Sequence, residues 1–285
     1  MAVGELGPTG AVIDVTPGEE FIATAVTLED LGYPAVWLSG GRLERLEQVL
    51  AVLEATRSAQ VGTSVIAADR FGPGAVLDLY RRAEASHPGR LVIGLGGAHG
   101  PRPLSVLGDY LDRLSAVPQG SRLLAALGHR MLGLARDRTG GALPILVTPD
   151  YTASAREILG DAVLVVEQLV VLENDPMQAR ALAAALLRFM RTIPGYPQNF
   201  RRMGFTDDDI SELSDRLVDD LVAWGDGAAI AKRVAEHRRA GADHVAVMLV
   251  NRTDQLNSWT SLADALLESA RPGSDTHEQK QRRQS

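Results

Sequence analysis

The chain of 285 residues contains no cysteine. A disulfide framework, a thiolate metal site and a cysteine nucleophile are therefore excluded. Aromatic residues are also sparse, at 5%, so that Ala, Leu, Val and Gly carry the apolar content. This composition is typical of an aliphatic core, and the length suits a single large α/β domain.

Long apolar runs and a strong positive charge are absent too. No stretch of about twenty uninterrupted apolar residues occurs, and residues 1–10 lack the pattern of a secretory signal. We therefore expect a soluble cytoplasmic protein without a membrane partner. The net charge of −7, with basic residues scattered among acidic ones, argues against binding to nucleic acid.

Several catalytic motifs are missing as well. The sequence has no HExxH spacing, no GxSxG elbow, no P-loop and no carboxylate cluster that would indicate a metal. Hydrolase and NTPase functions therefore lack motif support, and we predict no metal site.

Short aliphatic runs alternate with longer helical patterns along nearly the whole chain, which is typical of a parallel sheet built from βα units. An open doubly wound sheet is the alternative, but residues 15–18 (VTPG) do not match the glycine fingerprint that usually follows its first strand. We therefore predict a (β/α)8 TIM barrel. The predicted strands are 11–15, 35–38, 61–67, 91–95, 122–126, 143–147, 163–171 and 244–250.

One interval is too long for a simple βα unit. Residues from about 175 to 240 separate the last two predicted strands and must hold extra helices. Because an insertion there lies at the catalytic end of a barrel, we expect it to cover the site or to form a subunit contact. We predict one barrel domain over residues 1–271 and a disordered polar tail over 272–285.

The end of the fourth predicted strand is rich in glycine. Gly96 and Gly97 would let a flat ligand approach the backbone, and His99 is the titratable group there with an ordinary pKa near neutrality. His99 is therefore the best candidate for proton transfer. The alternative is a tight turn with a solvated histidine.

The fifth predicted strand ends in a candidate anion site. Leu127, Gly128, His129 and Arg130 open an apolar-periodic helix, whose free N–H groups and positive charge would suit a phosphate. An ordinary turn with glycine chosen for its backbone angles is the alternative.

Two further polar positions have structural interpretations. Glu167 interrupts an apolar strand, and a buried carboxylate needs a partner or a ligand, so we favour a packed ion pair over a site residue. His237 lies beside two arginines in a charged helical stretch, which predicts a solvated face.

Two parts of the sequence resemble the luciferase-like monooxygenase superfamily, in the branch of F420-dependent oxidoreductases. The segment 86–96 (SHPGRLVIGLG) is similar to the most recognisable string of that branch, and 125–128 (AALG) looks like its phosphate loop. The later half of the chain resembles one actinobacterial subfamily. The residues that carry this resemblance are Tyr196, Asn199, 204–206, 215–218, Trp224 and 240–245.

The resemblance implies where a cofactor would lie. It implies a non-prolyl cis bond between Ser64 and Val65, pressed against the central ring of the deazaflavin, and it places Ser39 beside the reactive ring. Gly40 departs from the relatives, which often supply a polar or acidic group there. The remaining positions implied to contact the cofactor are Gly96, Gly97, Leu127, Gly128, His129 and Arg130.

The function implied by the resemblance is hydride transfer between coenzyme F420 and an organic small molecule, with His99 as proton donor or cofactor anchor. An FMN-dependent monooxygenase of the same fold is the second hypothesis, because both cofactors need the phosphate loop. The third is a barrel that has lost catalysis and serves as a binding or partner subunit. A homodimer is expected from the resemblance.

Overall fold

The computed structural model describes residues 6–15, 20–97, 100, 102–250 and 255–268. The described residues form a closed parallel barrel surrounded by helices. The strands are Thr9–Ile13 (β1), Ala35–Ser39 (β2), Gln60–Ser64 (β3), Ile66–Ala67 (β4), Leu91–Gly96 (β5), Arg122–Leu124 (β6), Gly141–Ala142 (β7), Val163–Leu172 (β8), Val222–Gly225 (β9) and His244–Leu249 (β10). The α-helices are Glu20–Asp30 (α1), Glu47–Ala55 (α2), Pro73–Ser86 (α3), Pro103–Arg113 (α4), His129–Arg138 (α5), Pro149–Leu159 (α6), Pro176–Met190 (α7), Gly195–Arg202 (α8), Asp207–Glu212 (α9), Asp215–Leu221 (α10), Gly227–Arg239 (α11) and Gln255–Glu268 (α12).

Strand pairing closes the barrel. Neighbouring strands pair in the order β10-β1-β2-β3-β5-β6-β7-β8, and β10 also pairs with β8, from His244 beside Val165 to Leu249 beside Val170. The short β4 continues β3 beyond a bulge and pairs with β5. Eight parallel positions therefore surround one interior, which confirms the predicted (β/α)8 barrel.

The amino-terminal end of the barrel is filled by a buried aromatic pair. The Trp37 indole N–H donates to Nε2 of His244 at 3.0 Å, and Nδ1 of His244 donates to the Gly7 carbonyl at 2.7 Å. Because an indole can only donate, this geometry fixes the neutral tautomer of His244. Burial lowers the pKa of His244 to about 4, so the ring stays uncharged at neutral pH. That end is thus a packed core, and space for a ligand lies at the opposite end.

Capping residues mark where several helices begin after the carboxyl ends of strands. Helix α6 begins with Pro149 after Thr148, whose hydroxyl accepts from the Tyr151 N–H, and α7 and α11 are capped by Asp175 and Asp226 in the same way. These caps satisfy free N–H groups of the first turn. The described helices include none that is both long and apolar enough to span a membrane.

Two elements differ from the sequence prediction. The sixth strand was placed at 143–147, but paired strand residues occur at Gly141–Ala142, with only a bridge between Ile145 and Glu167 beyond them. Pro144 has no N–H to donate, and Leu146 has a positive φ of 56°, so the chain leaves the ladder there. The insertion also contains a strand that was not predicted: β9 pairs with the carboxyl-terminal half of β8, above β7.

Candidate active site

A cavity of about 1490 Å³ opens at the carboxyl ends of the barrel strands. Its floor is formed by strand residues such as Val12, Ser64 and Glu167, and its rim by the loops that follow the strands. One wall comes from α7 and α8 of the insertion. The insertion therefore covers part of this cavity, which is one of the two roles expected for it from the sequence. Its contribution is mostly apolar and consists of Ala181, Leu182, Ala185, Leu186, Phe189, Met190, Ile193 and Tyr196.

The structure brings together the described positions that the resemblance implied for a cofactor. They come from four separate segments of sequence, and they share the lining of this one cavity. These residues are Ser39, Ser64, Val65, Gly96, Gly97, Leu127, Gly128, His129 and Arg130. The predicted proton donor, His99, lies outside the described residues, as does the neighbouring Ala98.

The bulge between β3 and β4 forms a closely packed backbone surface. The peptide bond between Ser64 and Val65 is cis, as the resemblance implied. The N–H of Gly40 donates to the Ser64 carbonyl at 2.9 Å, and a Cβ atom on Gly40 would lie 1.6 Å from the Val65 carbonyl oxygen. No side chain fits at position 40, so the departure at Gly40 has a steric reason in this barrel.

Glycine on β5 keeps the opposite side of the bulge open. A Cβ atom on Gly96 would lie 2.8 Å from Cγ2 of Val65 and 2.9 Å from Cβ of Ala125. Gly97 has a φ of +78°, which a residue with a side chain rarely adopts. Gly96 and Gly97 therefore leave a cradle beside Val65 that a flat ring system can approach.

The start of α5 forms a concentrated positive site. Gly128 caps the helix in an extended conformation and its carbonyl accepts from the Met131 N–H, so the N–H groups of His129 and Arg130 are the ones left without an acceptor within the helix. His129 and Arg130 are exposed in this first turn. The guanidinium of Arg202 lies beside Gly128, since a Cβ atom there would be 3.4 Å from Nη1 of Arg202. Arg202, which the sequence analysis missed, thus adds a charge from the insertion.

Tyr151 of α6 holds the loop before α5. Its hydroxyl lies 3.2 Å from the Ala126 carbonyl oxygen and 2.8 Å from that of Leu127. Burial raises the pKa of the phenol, so it stays protonated and able to donate. Tyr151 fixes the backbone from which the free N–H groups of α5 project.

Glu167 is the buried carboxyl at the cavity floor. It is 3% exposed, and its Oε2 accepts a hydrogen bond from the Ser64 hydroxyl. No described cation forms an ion pair with it, so the packed ion pair predicted from the sequence is wrong. Burial raises the pKa of Glu167 to about 7, while the Ser64 hydrogen bond acts in the opposite direction.

Tyr196 brings a second titratable group to this floor from above. It lies on α8 and lines the cavity. Burial and the negative charge of Glu167 both raise the pKa of its phenol. Tyr196 is therefore a neutral phenol that lines the same cavity as Glu167 and is influenced by its charge.

The side chain next to Glu167 points away from the cavity. The Gln168 amide donates to the carbonyl oxygens of Leu169 and Leu221, and its Oε1 lies 2.8 Å from Nε2 of His237. Nδ1 of His237 lies 2.8 Å from the Thr152 hydroxyl. The prediction of a solvated His237 is wrong, because this ring is fully buried between α11, α6 and β8.

The described part of the chain contains no group of three or more His, Asp or Glu side chains arranged to hold a metal ion. The described lining of the cavity carries instead the buried carboxyl of Glu167, hydroxyls, Asp14 and Arg42 near the strand ends, and the positive site at α5. An organic ligand with an anionic end fits this distribution.

In sequence, the chain matches no family model and no curated protein. Its fold, however, is similar to that of many solved structures. An F420-dependent secondary alcohol dehydrogenase in complex with an F420-acetone adduct superposes with a TM-score of 0.75 at 11% identity, covering 93% of this chain and 99% of that one.

Two further structures extend the likeness. Coenzyme F420 dependent tetrahydromethanopterin reductase from Methanopyrus kandleri has a TM-score of 0.68 at 13% identity, with 94% of this chain and 100% of that chain covered. The oxygenating constituent of 3,6-diketocamphane monooxygenase from Pseudomonas putida, in complex with FMN, has a TM-score of 0.68 at 12% identity and covers 94% and 99%. This chain therefore has a (β/α)8 barrel fold similar to that of these two F420-dependent enzymes and of the monooxygenase component solved with FMN.

Proposed function

We propose that this protein is an oxidoreductase that holds coenzyme F420 in the cavity at the carboxyl ends of its strands and reduces or oxidises an organic substrate there. The observation that carries the proposal is the convergence of the Val65 bulge, the Gly96 cradle and the positive start of α5 on one cavity. A flat ring with an anionic tail fits that combination. When bound, the reduced cofactor supplies a hydride.

The residues of the chain would position such a cofactor. The bulge at Val65 offers a firm backbone surface for a ring, and the open cradle at Gly96 gives it room. The N–H groups at the start of α5, with Arg130 and Arg202, would bind a phosphate through the helix dipole and charge-assisted hydrogen bonds. The apolar wall of α7 would exclude water from the ring.

FMN is the second candidate cofactor. It also carries a phosphate and a flat ring, and the fold is shared with a monooxygenase component that was solved with FMN. The phosphate site at α5 suits either molecule. A barrel without catalysis would keep the same site and bind without turnover.

Fluorescence titration of the purified protein with F420 and with FMN tests the proposal. We expect saturable binding of F420, weaker binding of FMN, and a Kd for F420 that rises about 10-fold or more in Arg202→Gln, because a charge-assisted hydrogen bond contributes roughly 1.5–3 kcal/mol. Arg201→Gln is the matched control, since Arg201 pairs with Asp207 and does not line the cavity. Binding of neither cofactor would contradict the proposal, and tighter binding of FMN would move it to the second candidate.

A further inference from the structure

The geometry points to Glu167 as the proton donor of the reaction, for a neutral, largely apolar carbonyl substrate held between the bulge and the wall of α7. We infer that Glu167 gives its proton to the carbonyl oxygen and that Ser64 positions the carboxyl group. This inference rests on the proposed hydride-transfer function and adds to it a residue and a substrate class.

Glu167 lies where a substrate in the cavity would meet it. Its strand, β8, forms part of the barrel wall. The side chain of Glu167 points into the barrel, because it lines the cavity while the next residue, Gln168, faces the outer helices. The hydroxyl that binds its Oε2 belongs to Ser64, whose following residue, Val65, forms the surface proposed for the cofactor ring. The carboxyl group is thus next to the place where the ring and a substrate would meet.

Among the residues that the structure describes, none forms an ion pair that would neutralise Glu167. Its cross-strand neighbours, Ala246 on β10 and Ile145 after β7, are apolar. Tyr196 of α8 is a neutral phenol that lines the same cavity, and Ser64 faces the carboxyl group from β3. The other described side chains of the cavity lining that are titratable or charged are Asp14 and Arg42 near the strand ends, and His129, Arg130 and Arg202 around the start of α5.

Burial without a cation favours the protonated acid. The pKa of Glu167 is raised to about 7 by this burial, which leaves a proton on the group in part of the molecules at neutral pH. A group that titrates near the working pH can both give and regain a proton efficiently. The position of Glu167 in the cavity and its raised pKa therefore both suit a proton donor.

The cavity lining selects the substrate class. The wall from α7 and α8 is formed by side chains such as Leu186, Met190 and Ile193, while the positive charges are concentrated at the phosphate site. A charged substrate would find no counter-ion deep in the cavity. A ketone, aldehyde or enone with an apolar body would place its oxygen at Glu167 and its body along α7.

The step balances with these components. The substrate carbon gains a hydride, with two electrons, from the reduced cofactor, and the C=O π bond breaks. The electron pair that moves to oxygen binds the proton of Glu167, which forms an alcohol and leaves a carboxylate. The Ser64 hydroxyl stabilises that carboxylate through its hydrogen bond, and solvent returns the proton when the product leaves.

Infrared titration of the protein without substrate gives the first readout. In the wild type, we expect one carboxyl group to lose its protonated C=O band near neutral pH. Glu167→Gln removes that titration, and Ser64→Ala moves it to higher pH, because the hydrogen bond that favours the carboxylate is lost. Glu173→Gln is the control, since Glu173 follows the same strand and does not line the cavity.

Reduction of cyclohexanone and 2-cyclohexen-1-one with reduced F420 gives the second readout. We expect Glu167→Gln to bind F420 with a Kd within about twofold of the wild type, yet to reduce these probes about 100-fold more slowly or worse, as loss of a general acid does. The rate of the wild type should fall above the midpoint of the infrared titration, and that dependence should vanish in the variant.

The outcomes separate the two proposals. If the wild type binds neither cofactor, the proposed function fails. If it binds F420 but no carboxyl group titrates near neutrality, or Glu167→Gln reduces the probes at the wild-type rate, the assignment of Glu167 is overturned. If the wild type binds F420 and reduces neither probe, the carbonyl substrate class is overturned.

Discussion

At the scale of single residues, the burial of polar groups distinguishes chemistry from architecture. Glu167 and Gln168 are adjacent on β8 and both buried, but one faces the cavity and the other faces the helices. Among the described residues, the carboxyl group has one hydrogen-bond partner, the Ser64 hydroxyl, whereas the amide is held by two carbonyl oxygens and a histidine. The first arrangement suits a proton-transfer group, and the second suits a fixed structural contact.

His237 gives a prediction for stability against pH. Burial, with a smaller effect of the Arg233 charge, lowers its pKa in the folded protein to about 3, against about 6.5 in an unfolded chain. Between these values the unfolded chain binds the extra proton, so stability falls as the pH drops below about 6.5. His244, whose pKa is lowered to about 4, acts in the same direction.

Urea unfolding at pH 7 and pH 5 measures this effect. At pH 5, the histidine at 237 costs the wild type about 2 kcal/mol of unfolding free energy relative to pH 7. We expect His237→Gln to be less stable at pH 7, because the hydrogen bond geometry with Gln168 and Thr152 is lost, but to show a dependence on pH that is smaller by about that amount. An unchanged dependence would contradict a buried neutral His237.

Gly40 gives a prediction about steric fit. Gly40→Ala places a methyl group against the Val65 carbonyl, and we expect it to destabilise the fold by about 2 kcal/mol or more and to impair cofactor binding. Gly41→Ala is the matched control, because nothing lies within 4 Å of a Cβ atom there. Thermal unfolding and F420 titration of both variants test this, and equal effects at the two positions would rule out the steric explanation.

At the scale of elements, the hydrophobic pattern predicted the barrel strands well but missed a short strand of the insertion. Strands β2, β5 and β8 were found near their predicted limits, since each is a mostly apolar run with buried residues on both faces. Strand β9 was missed because its four residues directly follow α10 and read as a continuation of the helix. β9 forms because it pairs with β8 at Leu169–Leu172, and that pairing partner is far away in the sequence.

The candidate site shows the same division between local and tertiary information. The loop at residues 127–130 and the bulge at Val65 were singled out because their signals are local in sequence or carried by the resemblance. Arg202 was missed, since it lies 74 positions after Gly128 and meets it only through the insertion. His237 was misjudged because its arginine neighbours suggested solvent, although its own side of α11 faces β8.

The loop before α5 is held by Tyr151 of the neighbouring helix α6, and this contact gives a prediction. Tyr151→Phe removes the hydrogen bonds to the Ala126 and Leu127 carbonyls, so the phosphate loop should loosen and the Kd for F420 should rise about 3- to 10-fold. Tyr110→Phe is the control, because it removes a hydrogen bond to the Phe71 carbonyl elsewhere. Isothermal titration should detect weaker binding in the first variant alone, and comparable losses in both would contradict the positioning role of Tyr151.

At the scale of the whole molecule, the barrel separates stability from function. The amino-terminal end is closed by Trp37 and His244, while the carboxyl-terminal end holds the cavity and the insertion. Variants at the closed end should therefore change unfolding free energy more than binding. This separation is the reason that a barrel can carry different chemistry on one frame.

Association of two chains remains a prediction at this scale. Helix α7 exposes Met177 and Phe189, which are 76% and 63% accessible, and apolar groups on an outer helix can mark a contact surface. We expect sedimentation equilibrium to give twice the chain mass of 30.5 kDa. A mass of one chain at micromolar concentration would contradict the expected homodimer.

A crystal structure of the protein grown with F420 tests the central claim most directly. We expect a deazaflavin ring against the backbone of Val65, its phosphate at the N–H groups that begin α5 and beside Arg202, and the Glu167 carboxyl group near the reactive face. A ring bound outside the strand-end cavity, or a phosphate held away from α5, would contradict that claim.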